Sequence, residues 1–249
     1  MSNSKPFQLS YTDTLLALRQ LQEQHDRCSL EPDKHRIVVE NGDQHSVKVH
    51  IKLPLIYPGI RMLDGSRPGE PYSPLPRAET LQEYLNRVPE EKPSYLLLLM
   101  EAGQASLGFV EDDELIHHKV IRKYMVRKKQ GKAQLTHLRQ KGKSRLGSRI
   151  RLANSIAFFE EINEKVEEWD IIDDAEHILY SCTSRLWGEL FRSSVPCPFS
   201  LDDPRVRKLP MDVRTPTLEE LERVVTAVQF SEWSGNLPSF LNEPLMSKA

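Results

Sequence analysis

Apolar residues in the first hundred positions switch between helical and extended spacing. Leu15, Leu16, Leu18 and Leu21 stand among polar residues in 12–24, with Asp13 near the start, and predict an amphipathic helix. Residues 35–40 and 46–53 read as the arms of a β-hairpin around Asn41-Gly42, a dipeptide that accepts the positive φ angles of a tight turn. In the second arm Val47, Val49, Ile51 and Leu53 alternate with Lys48, His50 and Lys52. That polar face is either simply solvated or part of a surface for a nucleic-acid backbone. Residues 54–76 hold six prolines and three glycines, which excludes regular helix and central strand and leaves a surface excursion or a flap. A short helix over 78–88 follows. The run Leu97-Leu98-Leu99 inside 94–101 suits a strand covered on both faces.

Further along, 105–111 and 115–127 read as two strands joined at the acidic turn Asp112-Asp113-Glu114, with Ile116, Val120, Tyr124 and Val126 as core positions of the second. Residues 128–147 show no periodicity. The main helix is expected over 148–169, where Leu152, Ile156, Phe159, Ile162, Val166 and Trp169 recur at three- and four-residue spacing. A strand over 177–182 and a short helix over 184–192 come next. Thr215-Pro216 opens the last clear helix, with threonine as cap, proline in the first turn and Glu219 and Glu220 complementing the dipole. From Gln229 onward no pattern emerges. These elements imply an α/β fold, a mixed β-sheet flanked by helices. The first ninety residues either extend that sheet or form a lobe of their own.

Composition narrows the class. The chain has 249 residues, 39% hydrophobic and 28% charged, as expected of a soluble globular protein. Its longest apolar run, 95–100, is too short to cross a bilayer, so no membrane partner is expected, and the N-terminus lacks an apolar signal segment, so the expected location is cytoplasmic. Three cysteines without Cys-x-x-Cys spacing give no disulfide framework or zinc site, and no metal or cofactor is called for.

Charge changes the picture more. The formal net charge is -2, yet residues 119–151 hold thirteen of the 34 Lys and Arg residues and no Asp or Glu. Local attraction to a polyanion follows. Arg122, Lys123, Arg127, Lys128, Lys129 and Lys132 form the first half of this RNA-binding block. Arg139, Lys141, Lys143, Arg145, Arg149 and Arg151 form the second. Arg149 and Arg151 fall near the expected N-terminal end of the main helix, and Glu160, Glu161, Glu164, Glu167 and Glu168 lie toward the other end, against the helix dipole. A phosphate at that N-terminus would reverse the sign of the mismatch; the alternative is that these charges are merely solvated.

Within the block sits Gln130-Gly131-Lys132-Ala133-Gln134. A glutamine amide neither gains nor loses a proton near neutral pH, so Gln134 cannot be a general base. It can hold a water or donate to a developing oxyanion. Gly131 frees the backbone and Ala133 keeps the tip narrow. From charge alone, only RNA binding follows. A metal-dependent nuclease built on Asp112, Asp113, Glu114 and His117 is a further option, but those residues stand about 40 Å from Gln134 along a straight strand, too far for one active site.

The stretch 123–134 resembles the signature of the Vms-like release-factor family, peptidyl-tRNA hydrolases of ribosome quality control related to the middle domain of eukaryotic and archaeal class I release factors. Gly147, Arg151 and Asn154 match the family's continuation. Asp203-Pro204-Arg205, Leu209-Pro210 and residues 214–221 match its closing strand and helix. Leu152, Ala153 and Ser155 replace the usual arginine, tyrosine and glutamate around the asparagine. The resemblance implies a release-factor middle-domain-like (RNase H-like) core over 93–229 with a long mobile basic loop, preceded by helix, hairpin and Pro-rich segment over 1–92 and followed by a tail over 230–249. It implies that Gln134, with Gly131, acts on peptidyl-tRNA in the peptidyl-transferase centre of the large ribosomal subunit, against its rRNA, and that Tyr124, Gly147 and Asn154 form the loop base. Water would attack the ester or a phosphodiester near the tRNA 3′ end.

Overall fold

The computed structural model describes residues 7–24, 28–31, 34–39, 49–58, 80–124 and 143–242. The chain divides into two compact units, Ser94–Arg223 and Met1–Pro93 with Val224–Ala249.

In the unit Ser94–Arg223, β5 (Tyr95–Glu101) is the central strand, buried along its length up to Glu101 as the leucine run predicts. It pairs antiparallel with β6 (Gln104–Glu111), which pairs antiparallel with β7 (Glu114–Arg122). On its other side it runs parallel to β8 (His177–Ser181), which pairs parallel with β9 (Val206–Lys208). The order β7-β6-β5-β8-β9 is the expected mixed sheet. Alternate residues Leu96, Leu98, Leu107, Phe109 and Ile121 share one core with Phe158, Phe159, Ile162 and Val166 of α3 (Lys143–Trp169) and Trp187 and Leu190 of α4 (Ser184–Phe191). On the opposite face, a Cβ at Gly108 would stand 2.9 Å from Leu115 and 3.0 Å from Leu221, so the glycine lets these side chains close over the sheet. Leu221 belongs to α5 (Leu218–Gln229).

Several expectations shift for identifiable reasons. The register slips between Phe109 and Val110, pairing Val110 with Leu115 and Phe109 with His117. Ile116 is the extra residue of this bulge and is 46% exposed, not core. Tyr124, equally readable from the sequence as a core position or a contact residue, is 52% exposed. Helix α3 starts at Lys143, so Gly147 lies inside it and Arg149 and Arg151 sit about two turns from its start, away from the dipole's positive end. Leu152 and Ile156 share a helical face with Phe159 but are exposed. Thr217, two residues past the expected cap, accepts the Glu220 N–H at 3.2 Å and starts α5.

The other unit holds a separate, wholly antiparallel sheet. Its order is β1 (Phe7–Leu9), β10 (Ser231–Ser234), β4 (Val49–Lys52), β3 (Arg36–Val39), β2 (Cys28–Glu31). The expected hairpin is β3–β4, with Val39 opposite Val49; Asn41-Gly42 falls outside the described residues, as does most of the Pro-rich stretch. The first helix is α1 (Tyr11–Gln24). The next is α2 (Leu81–Leu85), opened by a capping box of Thr80 and Glu83. Strand β10, for which the sequence shows no pattern, sits between β1 and β4. Its Trp233 is fully buried and donates to Ser231 Oγ at 2.8 Å.

Candidate nucleic-acid interface

The proposed working residues Gln134 and Gly131, with Arg127, Lys128, Lys129, Lys132, Arg139 and Lys141, lie outside the described residues. Lys143, Arg145, Gly147 and Arg151 lie on the backbone of α3. Arg122 at the end of β7 and Arg149 on α3 are exposed.

What the structure does describe is the frame that holds both ends of this stretch. Lys123 N–H donates to the Gly103 carbonyl at 2.8 Å, fixing the chain beside the β5–β6 turn as it leaves β7. Gly103 has φ 89°, a left-handed conformation that favours glycine. One residue on, Asn154 Nδ2 donates to the Tyr124 carbonyl at 3.0 Å. Lys123 Nζ pairs with Glu161 of α3 at 2.6 Å, both side chains about a third exposed. Lys123, expected to meet RNA from its place in the basic block, is thus paired with a carboxylate of α3. No sequence signal links positions so far apart.

The downstream motif is structural. Arg205 binds Asp203 through Nη2 at 2.9 Å and Nε at 3.1 Å, and its Nη1 donates to the carbonyls of Ile172 at 2.6 Å and Ala175 at 2.9 Å. This ties the entry of β9 to the α3–β8 connection. The Arg205 guanidinium beside it holds the Asp203 carboxyl below the ordinary carboxylate value. Glu220 accepts from the Arg214 N–H at 2.7 Å and from Arg223 at 2.6 and 2.9 Å, bracing the start of α5. Buried Asn163 of α3 donates to the carbonyls of Leu190 at 3.1 Å and Val195 at 2.8 Å.

Asp112 and Asp113 adopt φ 49° and 67°, the backbone of a tight hairpin turn. His117 is stacked between Phe109, 6.5 Å between ring centres, and Trp169, at 5.4 Å. Among the described residues no group of three or more His, Cys, Asp or Glu is placed to hold a metal ion. Nor, among them, is any helix long and apolar enough to cross a membrane.

The mixed sheet is thus backed by a long helix whose Asn154 and Glu161 hold the end of β7. Residues 95–235, more than half of the chain, match the family described as Bacteroidetes VLRF1 release factor, and the chain belongs to that family. The matched range contains every motif on which the resemblance rests. The chain is 29% identical over 135 residues to tRNA endonuclease ANKZF1 of Mus musculus, covering 53% of this chain and 18% of that protein. It is 30% identical over 134 residues to the Bos taurus protein of the same name, 52% of this chain and 18% of the relative. It therefore spans about a fifth of the length of these relatives. A solved structure titled Vms1 mitochondrial localization core aligns over 93% of this chain and 86% of that chain, with TM-score 0.45 and 13% identity.

Proposed function

We propose that this protein acts in ribosome quality control as a peptidyl-tRNA hydrolase, releasing stalled nascent chains on the large ribosomal subunit in the cytoplasm. The observation that carries this reading is that the family match spans the whole basic segment, Gln134 included, together with the strand and helix that frame it. Gln134 is the residue that enters the peptidyl-transferase centre. Its amide orients a water or donates to the oxyanion that develops as the ester opens. It supplies no acid or base, so rRNA and the tRNA itself complete the site. Arg127, Lys128, Lys129 and Lys132 flank the tip and hold backbone phosphates, while Arg122 and Arg149 extend that surface along the base.

The test is release from purified stalled large subunits. Gln134→Ala is expected to slow release at least tenfold while co-sedimentation with the subunit stays the same. Release at the wild-type rate would remove Gln134 from the mechanism. Salt-sensitive co-sedimentation of the wild type without any change in the tRNA would leave only a ribosome-binding module.

One observation favours a second reaction in the same site: the matched relatives carry the name tRNA endonuclease. In that reading water attacks a phosphodiester near the 3′ end of the tRNA. Sequencing the 3′ end of the released tRNA separates the two, an intact CCA end meaning ester hydrolysis and a shortened one meaning nuclease cleavage.

A further inference from the structure

The unit containing the N-terminal strands carries a cationic groove that the release reaction does not use. Lys34, Arg36, His50, Lys52, Glu232 and Ser234 line a cavity of about 280 Å³. The sheet register builds it. Arg36 stands opposite Lys52, Lys52 opposite Glu232, and His50 opposite Ser234. Directly opposed residues share a sheet face, and so do residues two apart on a strand, so these side chains project together.

The charges within it are unevenly matched. Glu31 is shared between Arg36 and Lys34, the latter at 3.4 Å. Glu232 reaches Lys52 only at 3.5 Å, with their side chains 37% and 50% exposed. Among the described residues, three cations thus share two carboxylates. An ion pair this long and exposed adds little stability, so Lys52 can exchange Glu232 for another anion at small cost. The Nδ1 of His50 is buried and has no hydrogen-bond partner among the described residues. A buried polar nitrogen of this kind is stabilised when a ligand or water supplies the missing bond.

We propose that this groove binds one phosphodiester of an RNA backbone, an anchoring point in addition to the basic segment of the other unit. A surplus of one cation matches the single charge of a diester, whereas a more highly charged free phosphate would meet repulsion from Glu232. Arg36 and Lys52 supply charge-assisted hydrogen bonds to the phosphate oxygens. The identity of the ligand rests on the RNA-binding part of the proposed function; the site itself does not.

The experiment measures binding of the full chain to a fluorescein-labelled tRNA acceptor-stem hairpin by anisotropy across a salt series. Arg36→Gln/Lys52→Gln is expected to bind several-fold more weakly, with a log–log salt slope shallower by about 0.7–0.9 for each phosphate that is no longer neutralised. Glu232→Gln, which breaks the same ion pair from the other side, is expected to bind more tightly. A merely structural pair would shift neither. Wild-type affinity and slope in both variants, with RNA bound by the wild type, overturns this inference and leaves the proposed function standing. A wild type that binds no RNA overturns both. Displacement of the hairpin by micromolar inorganic pyrophosphate from the wild type, but not from the double variant, would assign the groove to a free phosphate and overturn the RNA assignment.

Discussion

The side-chain amide of Asn154 donates a 3.0 Å hydrogen bond to the main-chain carbonyl of Tyr124. Thirty residues separate the two in sequence, and the basic segment lies between them. Helix α3 therefore holds the strand from which that segment departs. The Lys123–Glu161 pair about two turns further along the same helix repeats the attachment.

Asn154→Ala removes an exposed hydrogen bond and should lower stability by only about 0.5–1 kcal/mol, seen as a small shift of the urea midpoint. Release from stalled subunits should fall more than this loss explains, because the end of the chain at Tyr124 is no longer held by α3. Exchanging the pair partners, Lys123→Glu with Glu161→Lys, should recover release lost in either single variant. Full release by Asn154→Ala would show that the attachment is not needed.

Asn163→Ala should be the most destabilising polar substitution in α3. It removes the side-chain donor to the Val195 carbonyl and to the Leu190 carbonyl, which keeps only the long Ser193 N–H bond at 3.4 Å, in a site where Asn163 is 1% exposed. The expected loss is about 2–3 kcal/mol in chemical denaturation. Asn163→Asp should cost at least as much, since a carboxylate only accepts.

The Glu220 carboxyl is held below its ordinary value of 4.5, first by hydrogen bonds from Arg223 and then by the Arg214 N–H, against the opposing effect of burial. The unfolded chain takes up this proton more readily than the folded one. Its stabilising contribution is therefore complete above the ordinary value and disappears as pH falls through the depressed folded value. Glu220→Gln should cost about 1–2 kcal/mol at pH 7, a figure kept modest because the Arg223 side chain is 39% exposed. The gap between wild type and variant should narrow below pH 4.5 in acid titrations of the urea midpoint.

Burial pushes the thiols of Cys182 and Cys197 up to about 11 and raises that of Cys28. At pH 8 almost none of the Cys182 or Cys197 thiol is ionised. Alkylation of the native protein by iodoacetamide should be on the order of a hundredfold slower at these two than at a free cysteine, as followed by mass spectrometry. Rapid labelling of either would mean that its shell opens readily.

Local chemistry made much of the release-factor-like unit legible. The unbroken leucines of β5, the acidic turn after β6 and the helical spacing of Phe159, Ile162 and Val166 each report a short-range constraint, and each appears in the fold. The exceptions have non-local causes. Ile116 is displaced by a bulge set by pairing with β6, and Leu152 and Ile156 keep helical spacing where the described residues leave them exposed. Strand β10 is invisible in the sequence because four residues held by β1 and β4 need no periodicity of their own.

By itself the sequence determined the charge of the basic segment, the order of the motifs and the chemistry open to Gln134, because these depend on residue identity and spacing. The tertiary structure alone decided that Lys123 is paired with Glu161, that Asn154 holds the Tyr124 carbonyl, and that Arg36, Lys52 and Glu232 meet on one sheet face. Each of those contacts joins residues far apart in the chain. Their meeting follows from strand register and helix docking, which the hydrophobic core sets as a whole.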